Sequence, residues 1–124
     1  MSRNIIIISE NGTVHIPYGE IWMSEPELAG LFRVIAPTLR AAVRAVYRSG
    51  VCHIGCDRAM FVCTHGGRDE CYSLRMVTAL AFRINTPQAG IVRDALLEKM
   101  MQQRKEENTF VFLSLRAGGM LRGC

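Results

Sequence analysis

The stretch SEPELAGLFRVIAPTLRAAVRAVYRSG, residues 24–50, decides the fold expected for this chain. It opens with Ser24 and Glu27, which have the spacing of a capping box. In that motif the serine hydroxyl accepts a hydrogen bond from the glutamate amide, and the carboxylate accepts one from the serine amide, so a helix should begin after Ser24. The apolar residues that this helix would bury are Leu28, Leu31 and Phe32.

A proline separates this helix from a second one. Pro37 disfavours the α conformation at the residue before it, which predicts a turn over residues 33–36. Because the fixed φ of proline suits the first turn of a helix, the second helix is expected over residues 37–48, with Gly50 as a left-handed stop. Its buried positions would be Leu39, Val43 and Val46.

Arginines recur every four residues along the second helix. Arg40, Arg44 and Arg48 would share a face away from the buried positions. A solvated helix face is the ordinary explanation, but such a face usually mixes charges to gain pairs between turns. No acidic residue occurs between Val34 and Cys56. Two helices, a tight turn and these arginines therefore predict a helix-turn-helix motif that binds DNA.

A hairpin is expected directly behind this motif. After a loop over residues 51–57, strands are predicted at residues 58–63 and 70–73, around the polar, glycine-rich tip 64–68. A hairpin in this place is a wing, and basic wing tips commonly contact the sugar-phosphate backbone. An ordinary surface turn is the alternative explanation.

The start of the chain predicts another hairpin. Residues 5–8 are β-branched, and Asn11-Gly12 is a strong turn signal before a second strand that Pro17 ends. A short strand is expected at residues 20–23.

Two more helices are expected towards the carboxyl end. Ser73 can cap the first, and Pro87 fits the first turn of a long helix that runs to about residue 106. Leu97 and Met101 widen the apolar face of the long helix beyond what one domain needs, which predicts homodimerisation through this helix. The buried stripe of the shorter helix would be Leu74, Val77, Leu80, Ala81 and Ile84.

The chain has the size of one domain. With 124 residues, 49% of them hydrophobic, it can bury a real core, and we expect residues 1–107 to form it. Residues 108–124 are expected to add a short β-like segment at 109–115 and a frayed tail. The net charge of +4 favours attraction to phosphate. No twenty-residue apolar run and no leader pattern occur, so we expect a cytoplasmic protein without a membrane span.

The cysteines and histidines suggest a zinc site only weakly. In a cytoplasmic protein the thiols are expected to be reduced, and the spacing lacks the paired C-x-x-C pattern of zinc ribbons and fingers. We therefore expect no metal and no cofactor. No nucleotide-binding or hydrolase motif occurs, and no residue orients the imidazoles of His53 or His65 beside a cysteine, so an enzyme is not expected. The five cysteines are Cys52, Cys56, Cys63, Cys71 and Cys124.

Several short blocks resemble the RhuM-type virulence-associated protein family. Residues 21–34 are similar to its tryptophan and "LF-V" block, residues 72–74 and 81–84 to its "YNLD" and "GYRV" blocks, and Arg93 to the arginine of "FR-W". The resemblance implies the family's N-terminal DNA-binding domain and brings no catalytic residue. The chain departs from the family at Val92 and Ala95, which replace two aromatic residues, at Arg33, which replaces a frequent glycine, and in its cysteine-rich wing region.

Together these observations predict an α+β, winged-helix-like helix-turn-helix domain with an N-terminal β-hairpin and a long C-terminal helix. The expected function is sequence-specific binding of double-stranded DNA, as in a transcriptional regulator, with residues 37–48 in the major groove. The residues expected to reach bases are Thr38, Arg40, Ala41 and Arg44. Those expected to contact phosphate are Arg48, Arg58 and Arg68.

A protein-interaction module on the same scaffold is the alternative function. The second helix is smooth enough at its alanines to pack against another helix, with larger side chains elsewhere as anchors. The alanines are Ala41, Ala42 and Ala45, and the anchors would be Tyr47, Leu97 and Met101.

Overall fold

The structure, a computed structural model, describes residues 3–62 and 66–114, with side chains as far as residue 104. It is a mixed α+β arrangement of helices with two small antiparallel sheets. The elements in chain order are β1 (Ile7–Ile8), β2 (Val14–His15), β3 (Trp22–Ser24), α1 (Glu25–Phe32), α2 (Ala36–Ser49), α3 (Ile54–Asp57), β4 (Arg58–Val62), β5 (Arg68–Ser73), α4 (Leu74–Arg83) and α5 (Pro87–Ser114).

The two expected helices of the opening stretch are confirmed as α1 and α2. The Ser24 hydroxyl accepts from the amide of Glu27 over 3.4 Å, and the Glu27 carboxylate accepts from the amide of Ser24 over 2.8 Å. Arg33 ends α1 in the left-handed region, with φ of 57°. A residue with a Cβ is strained there. Gly50 ends α2 with φ of 84°, as expected.

The sheets match the two predicted hairpins. Strands β1 and β2 pair around Asn11-Gly12, where Gly12 has φ of 87°. The second sheet has the order β3-β5-β4, with both neighbours antiparallel. Its register places Met23 of β3 and Arg58 of β4 on either side of Tyr72. The strand that precedes α1 is therefore joined directly to the hairpin that follows α2.

The core lies between this sheet and α1 and α4, which contact its strands, and extends to α2 and α5, which pack against those two helices. One hydroxyl joins two of these helices at their ends. Thr86 donates to the carbonyl of Phe32, the last residue of α1, over 2.8 Å and accepts from the amide of Ala89 in the first turn of α5 over 3.1 Å. The largest fully buried side chains include Phe32, Leu39, Met76, Val77, Leu80 and Val92.

Three expectations about the elements were wrong. Residues 54–57 form the short helix α3, because the amides of Cys56 and Asp57 both bond back to the carbonyl of His53 instead of remaining in a loop. Leu74 is 37% exposed and so lies outside the buried stripe of α4, which includes Met76 instead. The backbone of residues 109–114 continues α5 instead of forming a strand.

The long α5 follows from the cooperativity of helices. Adding a residue to an existing helix is far easier than starting one, so the strong helix formers of residues 102–107 carry the helix into the segment that was expected to be β-like. The helix crosses the boundary that was expected after residue 107. Residues 115–124, including the expected frayed tail, lie outside the described part. No described helix is both long and apolar enough to cross a membrane.

Candidate nucleic-acid interface

All seven residues that the sequence predicted to meet DNA are exposed. They lie on two elements. Thr38, Arg40, Ala41, Arg44 and Arg48 follow α2 from its first turn to its last, and Arg58 and Arg68 begin the two strands of the β4–β5 hairpin.

The buried side of α2 determines which residues point outwards. Leu39, Val43 and Val46 are all less than 7% exposed and pack into the core. Arg44 and Arg48 lie on the opposite side of the helix, one turn apart, and are exposed. Within residues 3–62 and 66–104, neither has an ion-pair partner. Two unpaired guanidinium groups thus project from the middle and the end of α2.

Arg40 differs from these two arginines because it already has a partner. Its Nη1 donates to Oε1 of Glu25, in the first turn of α1, over 2.9 Å. The absence of acids in the sequence around α2 therefore did not guarantee an unpaired cation, since α1 supplies the carboxylate through space. The pair is largely exposed, and such pairs contribute only about 0.2 to 1 kcal/mol. A phosphate can replace Glu25 at little cost, but Arg40 is a weaker candidate for reading a base than Arg44.

The β4–β5 hairpin carries one paired and one unpaired arginine. Arg58 donates to Glu70 of the neighbouring strand over 3.1 Å. Arg68, at the start of β5, has no ion-pair partner in the described part of the chain. It follows Gly66, whose φ of 91° makes the turn. Among the described residues of the hairpin, Arg68 is therefore the arginine without an ion-pair partner. Residues 63–65 of the expected tip lie outside the described residues.

An arginine near the amino end clamps the start of α1. Arg3 donates to both carboxylate oxygens of Glu27 over 2.6 and 2.9 Å and to the carbonyl of Trp22 over 2.9 Å. Burial acts to raise the pKa of Glu27, but the hydrogen bonds from Arg3 and Ser24 outweigh it and hold the pKa below its ordinary value. No local sequence signal indicated this contact, because its partners are 24 residues apart.

This clamp predicts an acid-sensitive contribution to stability. A carboxylate whose pKa is lowered by folding stabilises the protein above its unfolded pKa, about 4.3, and loses that effect as pH falls through the lower folded value. The free energy of unfolding of the wild type should therefore fall more between pH 5 and pH 3 than that of Glu27→Gln. Urea unfolding at both pH values measures the difference. Equal losses in the two proteins would contradict the role of the clamp.

Asp57 is a second contact that sequence analysis missed. Its side chain is almost fully buried, accepting from the amide of His53 over 2.9 Å and from the Ser73 hydroxyl over 2.7 Å, with Arg75 at 3.9 Å. Ser73 in turn caps α4 by accepting from the amide of Met76. The carboxylate thus joins the segment after α2 to the end of β5 and the start of α4.

The cysteines differ in state. Cys52 is a free thiol that is 1% exposed, and burial raises its pKa to about 11, so it is not a nucleophile at neutral pH. Cys56 is disulfide-bonded, which corrects the expectation that all thiols are reduced. Among the described residues no group of three or more histidine, cysteine and acidic side chains is placed to hold a metal. Cys63, His65 and Cys124 lie outside them.

No protein-family model matches the chain, and no curated protein or solved structure is similar to it at a significant level. The likeness to the RhuM-type family therefore remains an expectation drawn from the residues, and the function has to be argued from the geometry.

Proposed function

We propose that this protein binds double-stranded DNA sequence-specifically, in the manner of a transcriptional regulator, by placing α2 in the major groove. The observation that carries the proposal is the outer face of α2, where Arg44 and Arg48 project without ion-pair partners in the described part of the chain. The two guanidinium groups are one helical turn apart and repel each other slightly, and a polyanion such as DNA would attract both of them and offset that repulsion.

The order of elements supports a winged-helix arrangement. Strand β3 leads directly into α1 and α2, and the β4–β5 hairpin follows them and pairs with β3. In such an arrangement the hairpin stands beside the recognition helix, where it can follow the sugar-phosphate backbone while the helix enters the groove. Arg68 is the side chain that this arrangement would bring to phosphate.

The contacts of each arginine refine the roles. Arg44 is free and central on α2, so we assign it the bidentate contact to a guanine, with Thr38 and Ala41 on the turns before it. Arg48, in the last turn, is assigned to phosphate. Arg40 and Arg58 would join the interface by exchanging Glu25 and Glu70 for phosphate.

Selection of bound sites from a random duplex pool tests the proposal, followed by fluorescence anisotropy on the selected duplex. The expected result is a common short motif, bound far more tightly than unrelated duplexes, with an affinity that falls steeply as salt rises. Retention on heparin that moderate salt abolishes would agree. Failure to enrich any motif, together with indifference to heparin, would refute DNA binding.

Arg68→Ala should act mainly on the salt dependence. Each phosphate contact contributes about 0.9 to the slope of log affinity against log salt, so the slope should decrease by about one unit while the preferred sequence stays the same. Anisotropy titrations at four salt concentrations measure the slope. Arg104→Ala, an exposed arginine on α5, is the matched control and should leave the slope unchanged. An unaltered slope for Arg68→Ala would remove the hairpin from the interface.

A protein-interaction module is the second candidate, favoured by exposed apolar side chains on α5. Leu97, Met100 and Met101 are 39%, 55% and 67% exposed. Tyr47 is a poor anchor for a partner, since it packs against the core. We propose that the α5 surface serves homodimerisation beside DNA binding, and that the protein acts by binding without catalysis.

A further inference from the structure

An open groove runs between the end of α2 and the outer face of α4. It has a volume of about 1010 Å³, and its walls are mostly apolar. Two of the apolar side chains that line it are strongly exposed to solvent: Phe82 is 49% exposed and Val51 is 53% exposed. The residues that line it include Val46, Val51, Leu74, Phe82, Arg75 and Arg83. Large apolar side chains left in water at a concave surface are typical of a site that another molecule covers.

The charged residues of the groove have one sign. Among the residues with described side chains, Arg75 and Arg83 line it and no carboxylate does. Arg83 is exposed and has no ion-pair partner in the described part of the chain, while Arg75 is 3.9 Å from the buried Asp57. Arg93 of α5 lies 5.8 Å from the centre of the Phe82 ring and adds a third cation. The groove is therefore suited to a helix that alternates apolar and acidic side chains.

The chain itself carries such a helix surface. Asp94, Leu97, Glu98 and Met101 recur at intervals of three and four residues, so they form one ridge along α5. This ridge lies opposite the buried residues Val92 and Leu96, and all four of its members are exposed. Neither carboxylate has an ion-pair partner among the residues with described side chains. The ridge thus offers apolar side chains to the apolar walls of the groove and carboxylates to its arginines.

We propose that two copies of this chain form a symmetric dimer in which the α5 ridge of each copy lies in the α4 groove of the other. Leu97 and Met101 would cover Phe82 and Val51, and the two carboxylates of the ridge would pair with Arg75 and Arg83. Because the two copies are related by a two-fold axis, the dimer contains two identical contacts, each between the ridge of one copy and the groove of the other.

Two facts favour a second copy over other occupants. Residues 115–124 contain two arginines and no acid, so the chain's own end has the wrong charge for this groove. A foreign acidic helix would have to come from another protein, whereas the complementary ridge is present at the same concentration as the groove in every solution of this protein. The pairing of ridge and groove rests on the homodimerisation proposed above, is independent of the proposed DNA binding, and can be measured without DNA.

The experiment is multi-angle light scattering on the wild type at tens of micromolar, followed by dilution. We expect twice the chain mass of 13.9 kDa. Arg83→Glu and Glu98→Arg should each raise the dimer dissociation constant at least tenfold, because each places like charges opposite one another in both contacts. Mixing the two variants should restore the dimer to within about threefold of the wild type, since a heterodimer then has opposite charges in both contacts.

Several outcomes would overturn the proposal. A monomeric wild type would do so, leaving the groove to an acidic helix from another protein. Weakening by Glu98→Arg with no effect of Arg83→Glu would indicate packing of α5 against α5. If Arg83→Glu and Glu98→Arg each weaken the dimer but their mixture stays monomeric, residues 83 and 98 do not face each other across the contact. Glu10→Arg, an exposed charge reversal on the first hairpin that belongs to neither the ridge nor the groove, controls for net charge and should dimerise normally, and circular dichroism checks that every variant is folded.

Discussion

The double variant Arg44→Ala, Arg48→Ala will bind its selected duplex about 100-fold more weakly than the wild type. A bidentate arginine contact to guanine contributes about 1 to 3 kcal/mol of discrimination, and the lost phosphate contact adds to it. A factor of ten corresponds to about 1.4 kcal/mol, so two orders of magnitude is the expected combined effect. Neither guanidinium has an ion pair in the described part of the chain, so removing them costs the folded protein little.

Anisotropy titrations on selected and mutated duplexes measure this loss and assign it. Arg44→Ala alone should reduce the preference for the selected sequence, whereas Arg48→Ala alone should weaken binding to all duplexes alike. Arg40→Ala should have a smaller effect than Arg44→Ala, because Arg40 must first leave Glu25. Alanine is the best helix former, so thermal unfolding should show α2 intact. If the double variant binds the selected duplex with the affinity of the wild type, α2 does not lie in the major groove of the DNA.

Asp57→Ala will lower the free energy of unfolding by about 2 to 4 kcal/mol. The carboxylate is 3% exposed and accepts from the His53 amide and the Ser73 hydroxyl. Leaving buried donors without an acceptor costs about 1 to 3 kcal/mol each, although the serine hydroxyl can rotate towards another partner. The loss should be accompanied by weaker DNA binding, because Asp57 holds the β4–β5 hairpin relative to α2.

Urea unfolding followed by circular dichroism measures this effect. Asp57→Asn keeps the size and one acceptor oxygen and should lose about half as much stability. Glu10→Ala removes an exposed acid from the first hairpin and should change stability by less than about 0.5 kcal/mol. If Asp57→Ala unfolds at the wild-type urea concentration, the buried carboxylate does not hold these elements together.

Contacts between residues close in the sequence were predictable. The capping box of Ser24 and Glu27, the turn at Asn11-Gly12 and the stop at Gly50 all act within a few residues, so their types and spacing determine the local backbone. The core stripe of α2 follows in the same way from helical spacing. These signals were enough to locate α1, α2 and both hairpins.

Contacts between distant residues were not predictable from spacing. Arg3 with Glu27, Arg40 with Glu25 and Asp57 with Ser73 join residues 24, 15 and 16 positions apart. Each pair depends on how the helices pack against the sheet, which no local pattern encodes. For the proposed interface this difference matters, because the sequence named the candidate cations but did not reveal that Arg40 and Arg58 are paired.

The hydroxyl of Thr86 ties the last carbonyl of α1 to the first turn of α5. In the proposed dimer α5 forms the contact between subunits, and this tie would transmit the geometry of that contact to both copies of α2. The distance between the two half-sites of an operator would then be a property of the protein, and inserting or deleting a few base pairs between them would abolish simultaneous binding.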